Sequence, residues 1–476
     1  DNDVFKPGVI RTMFDPTCGT GGMLSEAQNY VREHNNKAEL YVYGQDYNKR
    51  SFAVAASDLL IKDYGNSDIK FGDSFTEDQF PEQNFDYHIA NPPFGVSWIT
   101  KKKEIENEAR KLGFAGRFGA GLPRINDGAL LFIQHMISKF EPYDPKMKKN
   151  GSRLAIVFNG SPLFTGSAGS GESDIRKWII ESDWLEAIIA LPEQMFYNTG
   201  IGTYIWIVTN RKEKQRKGKI QLIDARDKWK PLRRSLGNKR RELGEDDISS
   251  IVKLYGNFED SEFSKLFDNS DFGYSRITVE RPLRLRFQVD TDRKSRYLEA
   301  LPSLLKDVQA IDKKLGRQTY LNWNEVSESI QEVLKENGSK WKATELKLFR
   351  DVFTDVDETA TPVILKTRKA TGNKEDRYNG WFALDKNTEV QYEPDSKLRD
   401  SENIPLKQEI TDYFEREVIP HVPDAWIDFE KTKVGYEINF NRYFYKYTPP
   451  RPLKHIDKEL KTVEEEILKL LNEVAV

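Results

Sequence analysis

Apolar runs of strand length alternate with helix-length stretches over the first 225 residues. Residues 11–15 continue Val9-Ile10 as a strand and end in the turn 16–22, and residues 23–33 then predict a helix. Residues 40–44 predict a strand leading into Asp46. Residues 51–62 predict a helix with Ala53, Ala56, Leu59 and Leu60 on one side. Residues 69–71 and 85–90 predict two more strands, and Asp127 the N-cap of a helix to Lys139. Residues 154–158 and 185–191 are continuous apolar runs, and 204–209 with 220–223 predict a closing antiparallel pair. Apolar strands separated by helices argue for an α/β fold, a doubly wound and mostly parallel sheet with an antiparallel edge, covered on both faces. Such sheets bind ligands beyond the carboxyl ends of their strands.

Further along, residues 242–284 read as acidic and loop-rich. Residues 293–350 and 407–418 read as helical, and 361–391 as polar with a few strand-like runs. At the end, Ile456, Leu460, Val463, Ile467, Leu470 and Val474 recur at alternating four- and three-residue steps, the spacing of a coiled-coil seam.

Four strand ends carry candidate chemistry. The first is Asp15-Pro16-Thr17-Cys18-Gly19-Thr20-Gly21-Gly22. Its glycines let the backbone turn tightly against a ligand, and the helix beyond offers a positive end suited to a carboxylate. Asp15 suits an ammonium group, so the pair of features fits an amino-acid moiety. The Lys-Ser/Thr of a phosphate-binding P-loop is absent. Asp46, after the next strand, has the position of an acid that accepts hydrogen bonds from ribose hydroxyls, or else caps the following helix. Asp73-Ser74-Phe75 could receive an adenine amine and flank its ring, or simply close a turn. Asn91-Pro92-Pro93-Phe94 is the most specific of the four. A ring amine is a poor nucleophile because its lone pair is delocalised. The Asn91 side-chain oxygen and the Pro92 carbonyl can hold both amine hydrogens, the prolines stiffen the turn, and Phe94 offers a face for an extruded base.

Composition sets limits on this picture. With 476 residues, 38 % apolar and 31 % charged, the chain can bury a sizeable core in two or three domains. No apolar run is long enough to span a bilayer, so no membrane association is expected. Cys18 is the only cysteine, which excludes an internal disulfide and fits a cytoplasmic location. The net charge of −3 does not by itself announce a nucleic-acid binder. Residues 211–241, however, hold fourteen Lys/Arg against three Asp/Glu, a block able to track phosphates or to form a solvated surface.

The chain resembles the modification (M) subunits of type I restriction–modification systems, a branch of the N6-adenine DNA methyltransferases. The resemblance rests on D-P-T-C-G-T-G-G-M-L (15–24), Y-G-Q-D (43–46), N-P-P-F-G-V (91–96) and G-F-A-G-R-F-G-A-G-L-P-R (113–124). It continues through N-G-S-P-L-F-T-G (159–166), A-L-P-E-Q-M-F-Y-N-T-G-I (190–201) and F-G-Y-S-R-I-T-V-E-R-P-L (272–283), then more loosely through G-Y-E-I-N-F (435–440) and P-P-R (449–451). It implies a Rossmann-like domain that takes S-adenosyl-L-methionine on Thr20, Gly21, Gly22 and Asp46 and acts through the 91–94 turn. It also implies double-stranded DNA as substrate, with adenine rather than cytosine as target base. The implied partners are a specificity (S) subunit, a restriction (R) motor–nuclease subunit and a second copy of the M chain. The expected divisions are a methyltransferase domain over 1–284, a mixed, mainly helical region over 285–454 and an assembly helix over 455–476. Family members carry a helical N-terminal domain and an aromatic–Thr–Pro segment. Phe5-Lys6-Pro7 lacks that pattern, and Asp rather than Met stands first, so this sequence is expected to be a piece of a longer protein. Residues 97–126, a long basic segment containing Arg117, Gly119, Gly121 and Arg124, are expected to be a mobile loop near the substrate that could meet phosphates, or else a disordered surface loop.

Two other readings remain open. Protein-glutamine and ribosomal-RNA amine methyltransferases use the same Asn-Pro-Pro-aromatic turn, with Tyr the usual residue at the position of Phe94. A catalytically silent scaffold that binds DNA or a partner is the alternative from another class.

Overall fold

The computed structural model describes residues 6–62, 66–197, 199–447 and 449–474. Phe5, Asn198 of the 190–201 motif, and Ala475 and Val476 of the expected terminal helix lie outside the described residues. Nine strands form the main sheet: β1 (Ile10–Asp15), β2 (Glu39–Asp46), β3 (Ser67–Phe71), β4 (Tyr87–Ala90), β5 (Arg153–Phe158), β6 (Leu185–Ala190), β7 (Tyr204–Thr209), β8 (Lys219–Asp224) and β9 (Ser264–Asp268). Their order is β9-β8-β6-β7-β5-β4-β1-β2-β3. β3, β2, β1, β4 and β5 are parallel neighbours. β7 runs antiparallel to both β5 and β6, β8 is parallel to β6, and β9 closes the edge antiparallel to β8.

Side-chain alternation decides what each face packs against. Val42 packs with Leu24, Val31 and Leu59, contributed by α1 (Gly22–His34) and α2 (Lys49–Ile61), and Met13 lies against them. Phe14 turns to the other face and stacks on Phe85, their rings 4.8 Å apart. β6 is buried at every position, as a strand covered on both faces must be, and this explains its unbroken apolar run.

Several sequence expectations are corrected. Residues 204–209 and 220–223 do not pair with each other: β7 is inserted between β5 and β6, and β8 pairs with β6. Helix α2 buries Ala55 and Leu59, while Leu60 is exposed, because the helix is rotated relative to the expected face. Asp127 accepts from the Ala129 amide at 3.1 Å, one residue ahead of the assigned cap of α4 (Ala129–Ile137). The acidic stretch 242–284 is not loop-rich. It holds a helix, Glu245–Asn257, then β9 and the strand Gly273–Glu280.

Beyond the sheet, helices Thr291–Ala300, Leu305–Leu315, Trp323–Glu336 and Ala343–Phe353 enclose a second core around Phe287, Tyr297 and Phe353. Strand Gly273–Glu280 is the centre of a small sheet between Asp400–Pro405 and Trp426–Tyr436. The chain then returns, and Tyr436, Ile438 and Phe440 complete the core under β5 to β8. The last helix, Leu453–Val474, leaves Leu460, Val463, Ile467 and Leu470 at least half exposed. Among the described residues no helix is long and apolar enough to cross a membrane.

Arg176 welds the returning segment in place. It lies on α5 (Gly171–Glu181), is fully buried, and donates to the carbonyls of Pro162 (3.1 Å), Thr165 (2.8 Å), Gly166 (3.1 Å) and Tyr436 (2.6 Å). Burial lowers its pKa to about 10, which still leaves it charged near neutrality. Arg176→Met is expected to leave these carbonyls without a donor and to cost roughly 3–5 kcal/mol of stability, read from the urea unfolding midpoint.

Candidate functional site

The four candidate loops leave the carboxyl ends of β3, β2, β1 and β4, four consecutive strands of the sheet. Register brings them together: Asp15 of β1 lies opposite Gly44, two residues before Asp46, and Phe14 lies opposite His88, three residues before Asn91. The turn after β1 is glycine-built. Gly19 and Gly21 take φ of +54° and +79°, and Gly21 opens α1 with no side-chain cap and no acid in the first turn. A Cβ at Gly19 or Gly22 would meet no atom within 4 Å, so this turn borders open space. Gly21 is tighter, since its Cβ would lie 3.3 Å from Ala55 Cβ.

Asp46 accepts from the Gly19 amide at 2.9 Å and the Asn48 amide at 2.8 Å, tying the ends of β1 and β2. Each oxygen keeps acceptor capacity for a further donor. Asp15 is buried, and one of its oxygens accepts from the Thr17 amide at 2.8 Å and the Thr17 hydroxyl at 3.3 Å. Thr20, between the glycines, is exposed. Ser74 points back into the turn, donating to the Pro16 carbonyl at 2.5 Å. Asp73 closes its own turn on the Phe75 and Thr76 amides and pairs with Lys101, whose ammonium also lies 5.6 Å from the Tyr47 ring. Phe75 is packed into a core with Trp98, Ile105 and Phe118.

The proline turn is presented differently. Asn91 and Pro93 are exposed, Pro92 is buried and Phe94 is half-buried. Among the described residues no hydrogen bond engages the Asn91 side chain. The Phe94 ring meets Phe196 edge-on at 6.3 Å.

A model of the family described as N-6 DNA Methylase matches residues 3–276. The chain belongs to the N-6 DNA methylase family. Among curated relatives, the type I restriction enzyme MjaIX methylase subunit of Methanocaldococcus jannaschii is 31 % identical over 270 residues, 56 % of this chain and 45 % of that protein. The MjaVII methylase subunit of the same organism is 30 % identical over 64 % of this chain and 51 % of its own length. The HindI methylase subunit of Haemophilus influenzae is 32 % identical over 50 % of this chain and 49 % of its own. The chain therefore spans about half the length of each.

In this N-6 DNA methylase chain, residues 97–126 are not the open loop expected. They form a short turn at Ile99–Lys101, the helix α3 (Lys102–Leu112) and a packed return. Trp98, Ile105 and Phe118 are buried, which gives the segment its own small core. Arg117 is correspondingly absent from the surface role expected of it. It donates to the Ser74 carbonyl (2.8 Å) and the Phe75 carbonyl (2.7 Å), and forks onto Glu108. Burial alone would raise the Glu108 carboxyl, but the Arg117 hydrogen bonds reverse this and hold it below the usual carboxylate range. His135 lies 3.2 Å from the same guanidinium and is kept neutral by burial and by that charge. Arg117 thus braces the loop after β3. Its partners lie 43 and 42 residues away in sequence, so beyond the 113–124 motif no local signal points to it. Phe196 is equally hidden, more than a hundred residues from Phe94.

Asp15 is the electrostatic singularity of the site. Burial raises its pKa to about 7, against the lowering effect of the Thr17 bonds, and Asp46 pushes it up further. The folded state therefore keeps a proton that the unfolded chain has released from about pH 4 upward. Stability contributed by this group is present below the unfolded value and is lost as pH rises toward 7. Asp15→Asn is expected to flatten that part of the profile, so the stability difference between variant and wild type should grow from pH 4.5 to 7.5 in parallel urea titrations. A difference independent of pH would show that Asp15 does not titrate in this range.

Proposed function

We propose that this chain is the methyltransferase core of a type I restriction–modification M subunit, transferring a methyl group to the exocyclic N6 amine of adenine in double-stranded DNA. The observation that carries the reading is the unengaged Asn91 side chain at the end of β4, beside the glycine turn at the end of β1. The N-6 DNA methylase family match supports the same chemistry, as do the names of the type I methylase subunits to which the chain is similar.

S-adenosyl-L-methionine, when bound, supplies a methyl group on a positively charged sulfur. The residues present fit such a molecule. The uncapped N-terminus of α1 suits its carboxylate. Asp15, buried with a carboxyl oxygen that receives no hydrogen bond among the described residues, suits its ammonium, and Asp46 suits the ribose hydroxyls. On the substrate side, the Asn91 side-chain oxygen and the Pro92 carbonyl accept the two hydrogens of the amine. This holds the nitrogen in place and draws its lone pair out of conjugation. Phe94 stacks on the base taken out of the duplex, and Phe196 props its ring from the edge. With the cofactor bound, the nitrogen held by Asn91 and Pro92 would take the methyl carbon as the carbon–sulfur bond breaks to leave a neutral thioether, and would then release one proton to solvent.

The proposed partners are a specificity subunit that reads the DNA sequence, a restriction motor–nuclease subunit and a second M chain. The exposed seam Leu460, Val463, Ile467 and Leu470 on the terminal helix is the surface offered to the specificity subunit.

Two experiments test this. The full-length protein, co-expressed with its specificity subunit, is expected to methylate adenine in unmodified DNA, located by sequencing of modified bases. Asn91→Ala should reduce that methylation by about two to three orders of magnitude with the complex intact. Transfer of label from the cofactor to RNA or protein, but not to DNA, would refute the reading. Separately, deletion of residues 455–476 is expected to abolish co-purification with the specificity subunit while leaving cofactor binding unchanged.

A further inference from the structure

The basic block between residues 211 and 241 divides sharply in the folded chain. In its first half four of the cations are matched by acids, while Lys214 and Lys217 are exposed. Lys212 is buried on Asp183, Arg216 is buried beside Glu186, Lys219 pairs with Asp268, and Arg226 pairs with Asp224. In its second half they are not. Lys230–Leu236 and Lys239–Glu242 form a two-stranded antiparallel hairpin outside the main sheet. It holds six Lys/Arg and a single acid, Glu242. Arg233, Arg234 and Arg240 are exposed, and no hydrogen bond or ion pair engages their side chains among the described residues.

The hairpin is anchored where its charge matters. The Asn238 amide donates to the Tyr197 carbonyl at 3.0 Å, and the Arg240 and Arg241 amides donate to the Gln194 carbonyl at 3.0 and 3.2 Å. Lys239 lies 5.3 Å from the Tyr197 ring, and Arg241 lies 3.9 Å from the Trp229 ring. At the tip, Gly237 takes φ +62°, and a Cβ there would come within 2.7 Å of the Tyr197 carbonyl oxygen. Gln194 itself adopts φ +61°. The segment so gripped, 193–197, carries Phe196, the ring that meets Phe94. One loop therefore joins the hairpin to the proline turn.

We propose that this hairpin grips the phosphodiester backbone of duplex DNA flanking the base held by the 91–94 turn, with Arg233, Arg234 and Arg240 as the phosphate-binding side chains. The inference rests on the reading of the chain as a DNA methyltransferase. Unpaired, solvated guanidinium forks match phosphate oxygens in geometry and charge. They carry no base-reading requirement, as fits a positioning contact.

The test uses the full-length protein in its complex and duplex DNA bearing the sequence that the complex methylates. The triple variant Arg233→Gln/Arg234→Gln/Arg240→Gln is compared with the wild type and with Arg233→Lys/Arg234→Lys/Arg240→Lys. The glutamine variant is expected to lower the slope of log affinity against log salt by about one for each phosphate no longer neutralised. It should also raise the KM for DNA by about tenfold or more, with kcat at saturating DNA and cofactor affinity unchanged. The lysine variant should keep the wild-type slope. A glutamine variant with wild-type slope and KM would overturn the hairpin's role while the methylation reading stands. So would a lysine variant as impaired as the glutamine one, because charge would then not be the cause. A wild-type complex that methylates no DNA would sink both the hairpin proposal and the reading beneath it.

Discussion

Everything at the candidate site depends on four neighbouring strands hydrogen-bonded in the same direction. In the run β3-β2-β1-β4, parallel pairing forces every following loop to emerge at one end of the sheet. Asp15, Asp46, Asp73 and Asn91 are spread over 77 positions of sequence, yet each sits at or just past a strand end on that edge. Because side chains alternate along a strand, a slip of one residue of β1 against its neighbours would swap Met13 with Phe14 across the sheet and carry the turn with it. The aromatic packing of Phe14 on Phe85 and the aliphatic packing around Val42 hold opposite faces of this register.

What could be read in advance was local. The glycine turn, the acid after β2 and the proline turn each lie within a few residues, and each joins an apolar strand to a polar loop. The parallel order followed from strand–helix alternation. What could not be read was set by contacts distant in sequence. The insertion of β7 between β5 and β6 leaves no trace in either strand's own pattern. The rotation of α2 is decided by Gly21, whose lack of a side chain lets Ala55 approach. The segment 97–126, polar enough to suggest a loop, gains its order from three buried side chains, Trp98, Ile105 and Phe118, spaced too irregularly for any periodic signal.

The cations illustrate how far folding redistributes what composition suggests. Arg117, from a segment expected to be an open loop, and Arg176 are both spent on backbone carbonyls inside the molecule. An arginine can do this because its planar fork carries several donors in a set geometry and stays charged when buried. One braces the loop after β3, and the other fastens two chain segments that the sequence separates widely. The net charge of −3 conceals both uses, and conceals equally the free guanidinium groups of the hairpin.

The route of the chain after the small sheet has a consequence for how the molecule comes into being. Tyr436, Ile438 and Phe440 fill the same apolar interior as β5 to β8, and Arg176 reaches the Tyr436 carbonyl across 260 residues. During synthesis on the ribosome the first 280 residues would emerge with that interior still open to water. Closing so long a loop is slow. The part of that interior covered by Tyr436, Ile438 and Phe440 therefore stays unfilled until more than nine-tenths of this sequence has been made.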